Sequence, residues 1–255
     1  MKKQEIASIL DQAAKNAQAV PQMAAENNMT LKEAYEIQRL SIQMRVERGE
    51  KITGYKLGFT SKAKMEQMGV HDLIWGILTD EMELQQEETV NLNRWIHPRA
   101  EPEIAFRVSK DIDRELSLDQ LPEYLDRMAP ALEVIDSRYE NFKFSLEDVV
   151  ADNCSSTGYV IGDWQPLSTE ISNLKMDLLV DGKIIESASS AAILENPLQS
   201  VVELSRLATN AGLTVKKGQV ILAGAATAAV FLKPQQTLTA QVENMGSVSF
   251  KTNES

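Results

Sequence analysis

Residues 176–187, MDLLVDGKIIES, contain two short apolar runs joined by an Asp–Gly pair. An Asp–Gly pair suits a type I′ turn, in which both central residues take a positive φ and the flanking strands pair antiparallel. The segment therefore predicts a β-hairpin. It leaves no room for the crossover helix that two parallel neighbouring strands require.

Short apolar runs of the same kind begin at residue 52 and continue almost to the end of the chain. The expected strands are ITGYKLGF (52–59), EIAFRV (103–108), ALEVI (131–135), GYVIG (158–162), MDLLV (176–180), KIIESAS (183–189), QVILAGA (219–225), TLTAQVE (237–243) and SVSF (247–250). Helical patterns intervene at residues 118–128 and 194–212, the second closing near Gly212. Because strands and helices do not alternate regularly, the pattern predicts an α+β fold built on a mixed β roll or sandwich.

The first fifty residues have a different texture and are expected to be mostly helical. Thr30 precedes an apolar-periodic segment and has Glu33 three positions later, which predicts a capping box at a helix start. Gly49 is a plausible stop for that helix. The sequence therefore predicts a helical N-terminal region, residues 1–50, and a β-rich catalytic domain, residues 51–255.

The charge and composition of the chain restrict which kinds of molecule it is expected to bind. The chain of 255 residues carries 37 acidic and 26 basic side chains, a formal net charge of -11, which repels nucleic acid and anionic membranes. An anionic substrate would need a locally positive site, such as a bound metal with a buried lysine. The single cysteine, Cys154, allows no disulfide within the chain. The polar start predicts no signal peptide, and no apolar run reaches transmembrane length, so a cytoplasmic location is expected.

Residues 97–106, HPRAEPEIAF, are the most informative stretch for chemistry. In a strand, Glu101 and Glu103 point to the same face, about 7 Å apart along the chain. Two carboxylates on one face repel each other and are costly to bury unless a cation lies between them. Oxygen ligands suit a hard cation such as Mg²⁺ or Mn²⁺. The alternative is a solvent-facing polar strand, because exposed glutamate is common.

ALEVIDSRY, residues 131–139, offers a third acidic candidate. Glu133 lies inside an apolar run, and strict alternation places it opposite Leu132 and Val134, so it is either a buried ligand or an exposed strand residue. Asp136 and Arg138 bring polar groups to the end of the strand, where sites are often built. A capped turn held by an Asp–Arg pair explains the same residues.

Two further segments have both a functional and a structural interpretation. Lys56 lies between Gly54 and Gly58, and the glycines allow close backbone approach to a ligand. A buried lysine at this position would require an anion, whereas a surface lysine on a bulged strand would not. ADNCSST, residues 151–157, is either a polar helix cap or a loop that contacts substrate. ILAGAATAAV, residues 221–230, is rich in small residues that suit tight packing or backbone contact with a ligand.

Two nucleophile classes are disfavoured. Cys154 has no histidine nearby in the sequence, where only His71 and His97 occur, so a Cys–His pair is not expected. The GxSxG elbow of serine hydrolases is absent from the sequence.

Taken together, these motifs resemble the family of 4-oxalocrotonate decarboxylases and 2-oxopent-4-enoate hydratases, within the fumarylacetoacetase-like superfamily. The resemblance runs through most of the chain and is strongest at residues 54–70, 97–106, 130–157 and 221–230 and in the closing GSVSF. It implies a fumarylacetoacetase-like β roll behind a helical front. It also implies a Mg²⁺ or Mn²⁺ cofactor, homo-oligomers, and a possible complex between decarboxylase and partner hydratase.

The resemblance implies site residues by their positions in this chain. The expected metal ligands are Glu101, Glu103 and Glu133. The expected catalytic residues are Lys56, Arg138 and Asp136, and the expected substrate-binding residues are Ser156, Leu78 and Thr227.

Within the family, the sequence is more similar to the decarboxylases. EVIDSRYENFKF follows the decarboxylase pattern, whereas hydratases have glycine in place of Asp136. Hydratases also tend to carry an acid before an aromatic–Gly pair, where this chain has Ile74 before Trp75 and Gly76. The expected reaction is metal-dependent decarboxylation of 4-oxalocrotonate (2-oxohex-3-enedioate), a small 2-oxo dicarboxylic acid, to 2-hydroxypenta-2,4-dienoate in catechol meta-cleavage. The alternatives are the hydratase, an acylpyruvate hydrolase, and a non-catalytic partner of an active homologue.

Overall fold

The structure is a computed structural model that describes residues 1–60 and 72–253. The described helices are α1 (Lys3–Asn16), α2 (Leu31–Glu47), α3 (Leu121–Tyr124), α4 (Leu146–Ala151) and α5 (Pro197–Asn210). The strands are β1 (Ile52–Gly58), β2 (Ile74–Thr79), β3 (Thr89–Val90), β4 (Arg99–Val108), β5 (Leu125–Ile135), β6 (Ser156–Ile161), β7 (Gln165–Pro166), β8 (Lys175–Val180), β9 (Lys183–Ser189), β10 (Val220–Leu222), β11 (Val230–Phe231), β12 (Thr237–Val242) and β13 (Gly246–Thr252). In the described residues, no helix is long and apolar enough to cross a membrane.

The strands form two sheets. The first runs in the order β2-β1-β10-β4-β5-β6, with β11 beside β4 and β7 beside β5. The second runs in the order β3-β13-β12-β8-β9. In the first sheet β1 pairs parallel with β10, whereas β4 pairs antiparallel with β5. The predicted α+β class with a mixed sheet is therefore confirmed.

The hairpin that decided the fold class forms as predicted. β8 and β9 pair antiparallel, with Val180 opposite Lys183. Asp181 and Gly182 between them both have positive φ, 50° and 75°. That is the conformation required for a type I′ turn.

Side chains along β4 and β5 alternate between the two faces of the first sheet, so one face packs in the core and the other carries the acidic residues. Ala100, Leu132 and Val134 pack against Leu238 and Phe250 of the second sheet. The intervening residues of the same strands therefore point to the opposite face, which carries the acidic side chains. Instead of meeting solvent, that face is covered by residues 139–155 and, behind them, by the N-terminal helices.

The N-terminal helices contact residues 139–155, which cover the acidic face of the sheet. The Thr30–Glu33 capping box begins α2 as predicted, and the helix ends at Glu47, two residues before Gly49. From α2, the buried amide of Gln38 donates to the carbonyl oxygens of Trp75 in β2 and Val150 in α4. Because α2 shares its core with residues 139–154, the division at residue 50 stays a prediction.

One expected helix is shorter than predicted. Of residues 118–128, Leu118–Gln120 form a 3-10 turn that continues into α3, and β5 begins at Leu125. Here pairing with β4, which places Met128 opposite Phe106, outweighs the local helical spacing. The strand β2, which is fully buried and contains Gly76, was not among the predicted strands.

Candidate metal centre and cavity

Three carboxylates converge at the centre of the first sheet. Glu101 on β4 lies directly opposite Glu133 on β5, and Glu103 is two residues further along β4. Directly opposed residues in an antiparallel pair have Cβ atoms about 5 Å apart. Each side chain offers one oxygen, and these three oxygens lie within 4.8 Å of one another. All three residues are buried, and Glu103 and Glu133 are 0% exposed.

Glu103 and Glu133 accept few hydrogen bonds from the described residues. Glu103 Oε2 accepts a hydrogen bond from the backbone N–H of Gly224 at 2.8 Å. Glu103 Oε1 and Glu133 Oε2 are buried and accept no hydrogen bond from any described residue. Burial raises the pKa of Glu103 well above its ordinary value, and the charge of Glu133 raises it further. Burial also raises the pKa of Glu133, although Lys56 opposes the shift.

A divalent cation fits this arrangement. Buried carboxylates this close together must be protonated, paired or bound to a metal. Three oxygen donors from rigid strands suit Mg²⁺ or Mn²⁺ and leave coordination positions for substrate and water. Glu101, Glu103 and Glu133 are therefore the residues we propose as metal ligands.

Lys56 on β1 completes the charge balance. Its side chain is 4% exposed, and its Nζ lies 3.0 Å from Glu133 Oε1. Burial alone lowers the pKa of Lys56, but the charge of Glu133, with smaller contributions from Glu103 and Glu101, more than compensates and raises the pKa overall. The buried Lys56 ammonium is therefore placed to hold negative charge beside the carboxylates.

Two glycines create the space for this geometry. Lys56 pairs with Gly76 across β1 and β2, where an added Cβ would lie 3.3 Å from Lys56 Cγ and 2.8 Å from the carbonyl oxygen of Asn153. Gly224 has φ +108°, and an added Cβ would lie 2.4 Å from the Thr60 side chain. The N–H of Gly224 reaches Glu103 only because the loop can take this conformation.

A cavity of about 290 Å³ opens beside the carboxylates. The chemistry-bearing side chains in its wall are Lys56, Thr60, Arg99, Glu101, Cys154 and Ser155. The apolar part of the wall is formed by Leu57, Phe59, Ile74, Ile135, Phe142, Phe144, Val149, Ala225 and Ala229. The cavity therefore has a charged end at Lys56 and Glu101, the member of the carboxylate cluster that lines it, and a mostly apolar remainder, which is typical of small-molecule sites.

The turn Asn153–Ser155 aims one hydroxyl at this cavity. All three residues have positive φ, between 51° and 58°, which is costly for residues other than glycine. Asn153 holds the turn by exchanging two hydrogen bonds of 2.8 Å with the backbone of Ile77. Ser155 Oγ is buried, lines the cavity and has no hydrogen-bond partner among the described residues. Burial raises the pKa of the neighbouring Cys154 thiol to about 12, so this thiol is no thiolate nucleophile at neutral pH.

The structure does not bring every expected residue to the cavity. The guanidinium of Arg138 is buried, forms an ion pair with Asp152 and also donates to the carbonyl oxygen of Ser156 at 3.2 Å. Asp136 accepts from the N–H groups of Ile96 and His97, both at 2.8 Å. Arg138 and Asp136 therefore hold the segments around β4 and β6 in place, and their catalytic role stays a prediction.

The expected substrate-binding residues are not part of the cavity wall, so their role stays a prediction. The hydroxyl of Ser156 is directed at the sulfur of Met82, 3.9 Å away, so the neighbouring Ser155 faces the cavity instead. Leu78 is fully buried in an apolar cluster with Tyr159 and Leu222. Thr227 donates to the carbonyl oxygen of Ala228 at 3.1 Å.

Some predicted segments cannot be placed. His71 and residues 61–70 of the resemblance motif lie outside the described residues. Ser155 belongs to the loop 151–157 that the sequence offered as a substrate contact, whereas Arg99 and Phe142 were not among the predicted site residues. The sequence contained a signal for Arg99, because it precedes Glu101 by two residues and therefore lies on the same face of the strand.

Comparisons with known proteins agree with this geometry. Residues 72–252 match the model of the fumarylacetoacetate (FAA) hydrolase C-terminal family. The chain therefore belongs to the fumarylacetoacetate hydrolase family.

Two relatives and one solved structure are similar to this chain over almost its whole length. A 4-oxalocrotonate decarboxylase of Pseudomonas sp is 47% identical over 252 residues, covering 99% of this chain and 98% of the relative. A 2-keto-4-pentenoate hydratase of Paraburkholderia xenovorans (strain LB400) is 32% identical over 258 residues, covering 99% and 96%. The structure of a 4-oxalocrotonate decarboxylase from Pseudomonas putida G7, complexed with magnesium and adipate, superposes with a TM-score of 0.92 at 35% identity, covering 98% of this chain and 97% of that one.

Metal affinity is expected to fall as the pH is lowered. The pKa values of Glu103 and Glu133 are raised in the metal-free protein, so protons compete with the cation, and metal binding releases protons. Calorimetric Mg²⁺ titrations in buffers of different ionisation enthalpy measure both quantities. An affinity that stays constant from mildly acidic to mildly alkaline pH, without proton release, contradicts the ligand assignment.

Glu103→Gln is expected to weaken Mg²⁺ binding by about 100-fold or more while the protein stays folded, because one anionic oxygen ligand is lost. Mg²⁺ titration and circular dichroism measure the two effects. Glu115→Gln, on the exposed surface, is the matched control and keeps normal affinity. Unchanged affinity in Glu103→Gln would show that this glutamate is not a ligand.

Proposed function

We propose that this chain is an enzyme that decarboxylates 4-oxalocrotonate to 2-hydroxypenta-2,4-dienoate with Mg²⁺ or Mn²⁺ as cofactor. The single observation that carries the proposal is the buried Glu101–Glu103–Glu133 cluster beside Lys56 and a small cavity. The 47% identity to a decarboxylase along the whole chain supports the reaction. The magnesium and adipate of the solved relative support the cofactor and a six-carbon dicarboxylic substrate.

The reaction needs an electron sink, and the substrate contains one. When the bond between C5 and C6 breaks, C6 leaves as CO₂ and the electron pair moves through the conjugated enone onto the oxygen at C2. That oxygen takes up one proton, which gives the dienol product. A bound Mg²⁺ supplies Lewis-acid stabilisation of the negative charge that develops at the 2-oxo group.

Lys56 contributes a second positive charge at the same end of the cavity. Its ammonium is buried and held by Glu133, so it needs no reorganisation when charge develops nearby. The unpartnered hydroxyl of Ser155 adds a hydrogen-bond donor in the same wall. The apolar wall of Phe59, Ile74 and Phe144 limits bulk water, which favours release of a neutral molecule over attack by water.

The hydratase is the second candidate, supported by the relative that is 32% identical. It would have to activate water near the dienol. The position where hydratases tend to carry an acid holds Ile74, which is 3% exposed and lines the cavity. This side chain cannot take a proton from water, so the decarboxylase is favoured.

Two other candidates have less support. An acylpyruvate hydrolase would need a base for water, but the ring of His97 packs on Phe142 outside the cavity lining. A non-catalytic partner subunit would have no use for the buried acidic cluster and Lys56, which are costly to maintain.

The association of subunits and the location in the cell belong to the same proposal. We propose a cytoplasmic homo-oligomer that forms a complex with a partner hydratase. Only the family resemblance supports the assembly, and light scattering of the purified protein, alone and mixed with such a hydratase, tests it. The unpaired Cys154 agrees with a reducing compartment.

The direct test is an assay of the purified protein with 4-oxalocrotonate and Mg²⁺, repeated with excess chelator and with 2-hydroxypenta-2,4-dienoate. We expect CO₂ release from the first compound that stops when the metal is removed, monitored by absorbance and a coupled CO₂ assay. Metal-dependent consumption of the second compound alone would identify a hydratase. Inactivity on both, with Mg²⁺ bound, would favour the acylpyruvate hydrolase.

Lys56→Met is expected to reduce kcat by about 100-fold or more at saturating Mg²⁺, because a fixed positive charge is lost where the dienolate forms. Methionine fills a similar volume, so the folded protein is retained. Steady-state kinetics and thermal unfolding in Mg²⁺ measure the two effects. If the variant unfolds but its remaining folded fraction turns over normally, Lys56 is a structural residue.

A further inference from the structure

Arg99 occupies an unusual position in the cavity wall. It lies at the start of β4, two residues before Glu101, and therefore on the same strand face as the acidic cluster. Across the neighbouring strands it lies opposite Ile135 of β5 and Phe231 of β11. Arg99, Ile135 and Glu101 all line the cavity.

Two aromatic rings hold the guanidinium. Its central carbon lies 3.9 Å from the ring centroid of Phe142 and 4.1 Å from that of Phe231. A cation between two ring faces is stabilised and its plane is fixed. Phe142 itself has a φ of 56°, and Asn141 before it has 58°, so the backbone takes a strained conformation where this ring is placed.

The charge of Glu101, two residues along the strand, acts on the guanidinium without forming an ion pair with it. No hydrogen bond or ion pair joins Arg99 to a described residue, and its Nε is buried without an acceptor. Lys56, the other cation in the described cavity wall, is already neutralised by Glu133. A buried donor without an acceptor is costly, which favours an acceptor supplied by a ligand.

Given the proposed function, on which this inference rests, we propose that Arg99 binds the distal carboxylate of the substrate, the group that leaves as CO₂. Side chains two apart on a strand are about 7 Å apart, comparable to the length of an extended six-carbon diacid. With its 2-oxo acid end held by Lys56 and by a cation on Glu101 and Glu103, such a substrate would reach Arg99 with its other end. Arg99 is then the residue that selects dicarboxylic over monocarboxylic 2-oxo acids.

The aromatic clamp has a consequence for the reaction. An arginine that binds a carboxylate stabilises the charged ground state, and this charge disappears as CO₂ forms. Arg99 therefore contributes to binding and orientation more than to the rate of bond cleavage. Its loss is expected to raise KM for 4-oxalocrotonate more than it lowers kcat.

The test compares two ligands that differ only in the distal group, 2-oxohexanedioate and 2-oxohexanoate, on the Mg²⁺-loaded protein. Arg99→Gln is expected to raise Kd for the diacid by about 10- to 100-fold, the loss of one charged hydrogen-bonding contact, and to leave Kd for the monoacid unchanged. Calorimetry gives both values. Arg107→Gln is the matched control, because Arg107 lies on the same strand and beside an aromatic ring but is paired with Asp126.

The outcomes separate the inference from the proposed function. If Arg99→Gln weakens both ligands equally, or neither, the guanidinium only supports the two phenylalanines and the inference is wrong. If Arg99→Lys restores preference for the diacid, charge recognition is supported. If the wild-type protein discriminates between the ligands through Arg99 but releases no CO₂ from 4-oxalocrotonate, the proposed function fails while the recognition role stands.

Discussion

The repulsion among three buried carboxylates is the constraint on which the rest of this structure depends. Glu101, Glu103 and Glu133 share one face of two adjacent strands, and water does not reach Glu103 or Glu133. Such a cluster stays ionised in the folded protein only with positive charge close by. Lys56 supplies one charge, and the geometry leaves room for a divalent cation to supply the rest. The antiparallel register fixes the distances, since a shift of one residue would turn Glu133 into the opposite core.

The surroundings of the cluster follow from the same constraint. Gly76 leaves space for the Lys56 side chain, and Gly224 places its N–H on Glu103. The strained turn Asn153–Ser155 closes the wall on the side facing β2. Each of these features costs stability by itself, and together they define a small cavity with one strongly polar end. That combination is typical of a site where binding energy is used to preorganise charge.

Local sequence patterns predicted which helices, turns and strands form, but they predicted less well which faces of these elements are buried. The Asp181–Gly182 turn and the Thr30 capping box depend on neighbouring residues, so their signals were readable in the sequence. The helix expected over residues 118–128 stops at Tyr124 because the residues that follow pair with β4, a long-range contact that local spacing does not contain. Glu133 shows the same limit. Alternation indicated which face it occupies, but only the packing of residues 139–155 shows that this face is buried.

Some site residues could be predicted from the sequence, whereas others could be assigned only from the structure. Charged residues at strand spacing marked the cluster, whereas Ser155 and Ser156 differ by one position in a turn whose backbone no motif describes. Arg138 and Asp136 are polar and buried, as a site residue would be, yet their partners are backbone groups and Asp152. Sequence identifies residue types suited to chemistry, but a side chain's hydrogen-bond partners decide whether it is available for it.

The amide of Gln38 connects the N-terminal helices to the cavity wall, because it bridges the carbonyl oxygens of Trp75 and Val150. Trp75 also accepts from the thiol of Cys154, next to the hydroxyl that faces the cavity. The N-terminal helices thus help to hold the cavity wall in position. Insertions, fusions or recombination points near residue 50, which a domain boundary usually tolerates, would here disturb the alignment of a catalytic wall. Evolution of the two parts is consequently expected to be coupled, with exchange of the helical front between homologues requiring compensating changes in β2 and the turn.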